Sequence, residues 1–180
     1  MIRTLLWLIG GVLLGGVIHI VVILTLPLLA EETAWTRALA LAEPDRMAIL
    51  DPVAPGEPNP LHLDPDLIYG LCRLDLSEGP GFISGTLPDA FWSVAVFDPS
   101  GIVTFSTTNR DGIGQTLEMG LFNAAQTRQL AQQQLDIAEG LLIVEQTGND
   151  LFALIRLAPP HDIMRPRFAE RLADVQCGTR

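Results

Sequence analysis

The chain has 180 residues, 48% hydrophobic and 18% charged, with 21 acidic and 11 basic side chains and a formal net charge of −10. That balance argues against nucleic acid as a partner, because phosphate binding needs clustered positive charge. Every basic residue is Arg, which excludes Schiff-base and P-loop lysine chemistry, and two Cys are too few for a zinc knuckle or an iron–sulfur cluster built on this chain alone.

Leu5 to Leu29 carries no charged side chain. At ~1.5 Å per residue such a helix reaches ~37 Å, enough to cross a ~30 Å hydrocarbon core with some tilt. A cleaved secretory signal has a shorter apolar region and a small-x-small site, whereas this run ends Leu28-Leu29-Ala30. Residues 1–30 therefore read as a transmembrane anchor. Arg3 precedes the span and Glu31-Glu32 follow it, so the N-terminus is expected in the cytoplasm and the rest outside it. In a Gram-negative cell this is an inner-membrane protein with a periplasmic C-terminal domain. Gly11 and Gly15 form a GxxxG spacing that lets two helix backbones approach. His19 lies on the same face, where it reaches either interfacial water or a partner helix.

Residues 31–65 read as a juxtamembrane helix and a proline-rich acidic spacer. Trp35, Ala38, Leu39 and Ala42 share a helical face, and Trp35 suits the membrane–water interface. Pro44 ends the helix, and prolines recur at 52, 55, 58, 60 and 65. Residues 31–66 hold eight acids and two bases, which predicts a solvated linker that anionic head groups repel.

Residues 66–180 read as a β-rich domain. Strands are expected at 71–76, 82–87, 91–97, 102–108, 115–122, 141–146 and 151–157, from β-branched and aromatic runs bounded by turns. Asp98-Pro99-Ser100-Gly101 predicts a hairpin turn. Thr147-Gly148-Asn149-Asp150 predicts a second hairpin. Helices fit Ala124 to Gln134 and Asp162 to Val175. The latter has Met164, Phe168, Leu172 and Val175 on one stripe, with Asp162 as a cap. The fold class is α+β: an N-terminal transmembrane helix, then a sandwich-like domain with two helices.

The runs Cys72-Arg73-Leu74-Asp75-Leu76-Ser77-Glu78-Gly79-Pro80 and Phe91-Trp92-Ser93-Val94-Ala95-Val96-Phe97-Asp98, with Gly101 and Phe105 to Arg110, carry a resemblance. The chain resembles a family of small single-pass membrane proteins of alphaproteobacteria, a domain of unknown function. The resemblance covers anchor, spacer, strand pair, hairpin and late Cys. It implies likeness to pieces of larger β-sandwich proteins and a sister protein of similar layout as partner. It implies no catalytic residue.

Cys72 and Cys177 are the only thiols, and an oxidising compartment favours a disulfide between them. Closing a loop of about 106 residues stabilises by ~4–5 kcal/mol in the chain-entropy model. His62 and His161, with Asp64, Asp66 and Asp162, lack metal-ligand spacing, so no metal and no cofactor is implied. Ser93 lies in no nucleophile elbow. Asp111, Gly112 and Gly114 resemble half of a phosphate loop without its helix. Arg165, Arg167 and Arg171 complement a helix dipole or dock an acidic partner. No acid–base pair or nucleophile rises above background. The reading is a membrane-anchored domain that associates with a membrane partner. The alternative is an enzyme or small-ligand-binding domain with a pocket inside the sandwich, possible around Asp98, Arg110 and Arg156.

Overall fold

A computed structural model describes the chain except residues 1, 30–32, 55, 112–114 and 133–139. Glu31, Glu32, Gly112, Gly114 and the end of the helix expected to Gln134 thus lie outside the described residues. The chain divides into two compact units, Met1–Thr33 and Ala34–Arg180.

The first unit is the helix α1 (Ile2–Leu29). Ile2–Leu26 is long and apolar enough to cross a membrane, and none of that stretch is buried within the protein. The Thr25 hydroxyl donates back to Val21 O at 2.9 Å or to Val22 O at 3.1 Å. This internal bond satisfies the one hydroxyl near the helix end, as an apolar solvent demands.

The second unit follows the order α2 (Ala34–Leu41), β1 (Met47–Ile49), β2 (Ile68–Asp75), β3 (Gly81–Thr86), β4 (Phe91–Phe97), β5 (Val103–Thr108), β6 (Thr116–Asn123), α3 (Ala124–Gln132), β7 (Leu142–Gln146), β8 (Asp150–Ala158), a 3-10 turn (Asp162–Met164), α4 (Arg165–Ala173) and β9 (Gln176–Thr179). The strands form two sheets, β1-β2-β8-β4-β5 and β7-β6-β3-β9. This is the expected α+β, sandwich-like class. Leu74, Ile83, Trp92, Met119, Leu121 and Ile155 fill the main core at 1% exposure or less.

The β4–β5 hairpin forms as the turn composition predicts. Ser93 pairs with Thr108 and Val96 with Phe105, with a register shift after Val96. Gly101 adopts φ +83, which only glycine takes cheaply, and its N–H bonds Asp98 O at 2.9 Å.

The second expected hairpin does not form. β7 pairs in parallel with β6 in the four-stranded sheet, while β8 enters the middle of the other sheet between β2 and β4. The reason lies in β8 itself. Leu151, Ala153, Ile155 and Leu157 face the main core, and Phe152 and Leu154 on the opposite face pack into a second cluster. A strand apolar on both faces belongs in the centre of a sheet covered on both sides. Likewise β2 and β3, expected as a pair, fall in different sheets.

The segment expected as a spacer is part of the folded unit. β1 pairs with β2, Met47 opposite Cys72 and Ile49 opposite Gly70. Leu50 N donates to Tyr69 O at 2.9 Å, Asp64 N to the Tyr69 hydroxyl at 2.8 Å, and Arg37 Nη1 to Pro60 O at 2.6 Å. α2 lies on the outer face of the five-stranded sheet, where Ala38, Ala42, Leu71 and Phe152 are buried together. Trp35 therefore sits 6.2 Å from the Phe152 ring, beneath the Arg73 guanidinium, rather than serving only as an interfacial anchor. Asp162 makes no side-chain cap; α4 starts through the 3-10 turn with Pro166 in its first turn.

Candidate functional site

Cys72 and Cys177 are joined in a disulfide, with Cα atoms 6.3 Å apart. Cys72 is fully buried on β2 and Cys177 is half-buried on β9, so the bridge ties one sheet to the other. Asp45 reinforces the same corner. Its carboxylate accepts from Thr179 N at 3.0 Å and Thr179 Oγ1 at 3.1 Å, and its own N–H bonds Arg73 O at 2.9 Å. Asp45 holds φ +56 to do so, a left-handed conformation that Asp tolerates better than most residues.

Asp98 and Arg110 lie at opposite ends of the β4–β5 hairpin, one in the turn and one beyond Thr108. Arg156 lies on β8 between Tyr69 and Ser93, and its Nε is buried without a partner. The structure does not bring these three residues into one pocket. Asp98 is occupied locally: its Oδ1 accepts from Ser100 Oγ at 2.6 Å and Ile102 N at 2.9 Å. These bonds, the Ser100 hydroxyl foremost, hold its carboxyl below the usual range. Ser93 is half-buried within β4 opposite Arg156, and His62 and His161 sit in separate loops. Among the described residues no three His, Cys, Asp or Glu side chains gather as a metal-binding group.

On α1, an added Cβ at Gly11 or Gly15 would meet nothing within 4 Å. The small-residue face carries no contact of its own.

Clefts flank α4 on two sides. One, of about 240 Å³, is lined mostly by apolar groups, including Ile49, Val53, Leu67 and Ala169, with Arg165 and Asp64 among its polar neighbours. Arg165 spends one N–H on Leu67 O at 3.1 Å. The other, of about 320 Å³, lies between α4 and the corner after β3, and Arg167 and Arg171 both line it. The three arginines grouped by sequence are thus divided between two clefts. Neither cleft lies between the sheets, where Trp92, Val94, Met119 and Ile155 are buried to within 1%. Sequence reasoning missed the first cleft because Ile49, Leu50 and Val53 sit among prolines and acids that signal a solvated linker.

No family model matches the chain, and no curated protein matches it. Two solved structures are similar in fold. A Vibrio parahaemolyticus protein is 12% identical with a TM-score of 0.58, over 77% of this chain and 31% of its own. An uncharacterised Burkholderia cenocepacia protein is 14% identical with a TM-score of 0.50, over 81% of this chain and 39% of its own. The chain spans about a third of the length of the solved proteins it matches. At such identity the likeness is one of fold.

Proposed function

We propose that this protein is a membrane-anchored accessory subunit: α1 spans the inner membrane, and residues 34–180 form a periplasmic domain that associates with a membrane partner. The observation that carries the reading is α1 itself, whose apolar stretch Ile2–Leu26 is unburied among the described residues. Lipid or another helix must cover it. Arg3 before the span and Glu31-Glu32 after it favour an outside domain. A disulfide between the sheets suits an oxidising compartment.

The fold occurs in two solved chains as less than half of their length. This supports a module made to sit beside further protein. The resemblance to small membrane proteins that travel with a sister supports a second chain as the partner. Gly11 and Gly15, with His19 one turn further along, form the face of α1 that a partner helix could approach most closely.

The test is purification of the full chain in mild detergent with identification of what accompanies it. Gly11→Leu and Gly15→Leu should reduce recovery of a membrane partner severalfold while membrane insertion is unchanged, since overpacking at a tight contact costs about 1–3 kcal/mol. If recovery is the same for both variants and the parent, association does not run through this helix face. A reporter active only in the periplasm, fused after Arg180, should be active; a silent one would invert the topology.

A further inference from the structure

We infer that the cleft between α4 and the corner after β3 binds a short dicarboxylic acid through Arg167 and Arg171. The inference does not rest on the partner reading above. The two arginines stand at i and i+4 on α4, one turn and ~6 Å of helical rise apart. Like charges at this spacing repel each other on a helix. Neither makes an ion pair among the described residues, although Glu170 shares their helix and Asp174 caps its end. Both line one cleft, together with Thr86, Gln115 and Asp89.

The walls are fixed by the fold. Leu87 N donates to Gln115 O at 2.8 Å, which joins the two chain segments that face the helix. Thr86 pairs with Thr116 at the end of the β3–β6 ladder. Phe168 and Leu172, at 3% and 0% exposure, pin α4 to the core, which fixes the backbone positions of the neighbouring, exposed Arg167 and Arg171. A cleft of about 320 Å³ admits a small molecule.

The chemistry of the lining selects the ligand class. A guanidinium fork matches a carboxylate with two parallel N–H···O bonds. Two forks lining one cleft offer one guanidinium to each carboxylate of a short diacid. Gln115 and Thr86 add neutral donors. Asp89 is the one carboxylate among the described lining residues, and its charge opposes any anion that does not engage both guanidinium groups. It also accepts a hydrogen bond, which favours a hydroxyl between the two acid groups.

The experiment is calorimetric titration of the full chain in mild detergent at low salt with succinate, malate, acetate and inorganic phosphate. Succinate and malate should bind, malate the tighter, and acetate and phosphate at least about tenfold more weakly. Arg167→Gln and Arg171→Gln should each weaken succinate about tenfold or more, with the urea midpoint unchanged because both side chains are exposed. Asp89→Asn keeps the fold under independent control; it should tighten phosphate and remove the preference for malate. Absence of diacid binding overturns the inference. So does equal binding by parent and arginine variants, or acetate and phosphate binding as tightly as succinate. Loss of a co-purifying acidic protein from the arginine variants, with no diacid bound by the parent, would assign the cleft to a protein partner instead.

Discussion

The two sheets of the folded unit Ala34–Arg180 are built to different plans. In the five-stranded sheet β2 and β8 are covered on both faces: Ile68, Cys72 and Leu74 of β2 look into the main core, while Tyr69 and Leu71 on its other face are also buried. The cover is the N-terminal segment, α2 and the proline-rich stretch after it. The four-stranded sheet is covered fully on one face only. Its outer side carries half-buried Ser84 and Glu118, exposed Glu145 and Gln176, and Ile143 at 38% exposure, with Phe82 edge-on to Phe122. A chain with two sheets but one substantial covering segment must choose which sheet to bury twice. Here the choice falls on the sheet whose central strand, β8, is apolar on both sides.

The bridge between these unequal sheets should give the largest effect. Replacing both cysteines (Cys72→Ala with Cys177→Ala) removes a cross-link across 105 residues of sequence. The expected loss is about 2–5 kcal/mol, read as a lower urea midpoint by Trp fluorescence, and reduction of the parent should lower its midpoint similarly. An unchanged midpoint would mean that the sheets hold together without the bridge.

The same truncation on the two outer faces sharpens the contrast. Phe152, 6% exposed and stacked on Phe97 at 4.9 Å between ring centroids, sits under the covered face. Phe152→Ala should cost about 3–4 kcal/mol. Phe82 lies half-buried on the thinner face, edge-on to Phe122 and near the Arg180 guanidinium. Phe82→Ala should cost about 1–2 kcal/mol, since less area leaves water on folding. Equal losses in urea unfolding would erase the distinction between the faces.

Local signals in the sequence were read more surely than the sharing of strands between sheets. The β4–β5 hairpin is written in four consecutive residues, and Gly101 occupies the position that needs a positive φ. The disulfide follows from two lone thiols in a chain with an apolar N-terminal helix. Period-two alternation tells which residues of a strand share a face, but not which sheet receives the strand. That is why β7 and β8 read as a hairpin although they part at Thr147-Gly148-Asn149. β1 and β9, at three and four residues, are too short to show a pattern and exist by pairing with β2 and β3. The proline-rich segment carries both messages at once. Its prolines and acids mark irregular, exposed backbone, while Ile49, Leu50 and Val53 place it against the domain. The cleft beside Arg167 and Arg171 was half legible: the helix and its arginines could be read, but not the wall supplied by Thr86 and Gln115 from distant sequence.

The smallest expected effect concerns the turns that leave the covered sheet. β2 ends at Asp75, whose Oδ1 accepts from Ser77 N at 2.9 Å, and β4 gives way to Asp98 with its bonds from Ser100 and Ile102. Both carboxyls are held below the ordinary range, Asp75 chiefly by the Ser77 backbone N–H and Asp98 chiefly by the Ser100 hydroxyl. A carboxyl depressed in the folded state binds fewer protons there than in the unfolded chain, so folding gains as pH rises through that region. The gain is complete above the unfolded value of about 3.9 and is lost as pH falls through the lower folded value. Asp75 is exposed and Asp98 only half-buried, so solvent screens the benefit and keeps it small. Asp98→Asn keeps an acceptor oxygen for the turn but removes the proton equilibrium. Its urea midpoint should lie slightly below the parent's at pH 7 and draw closer to it by pH 3. Asp98→Ala, which also loses the acceptor, should cost about 1 kcal/mol at either pH, because the Ile102 N–H and Ser100 hydroxyl then lose their partner. A gap between Asp98→Asn and the parent that stays constant from pH 7 to pH 3 would show that the charge contributes nothing at this turn and that its geometry alone holds the hairpin.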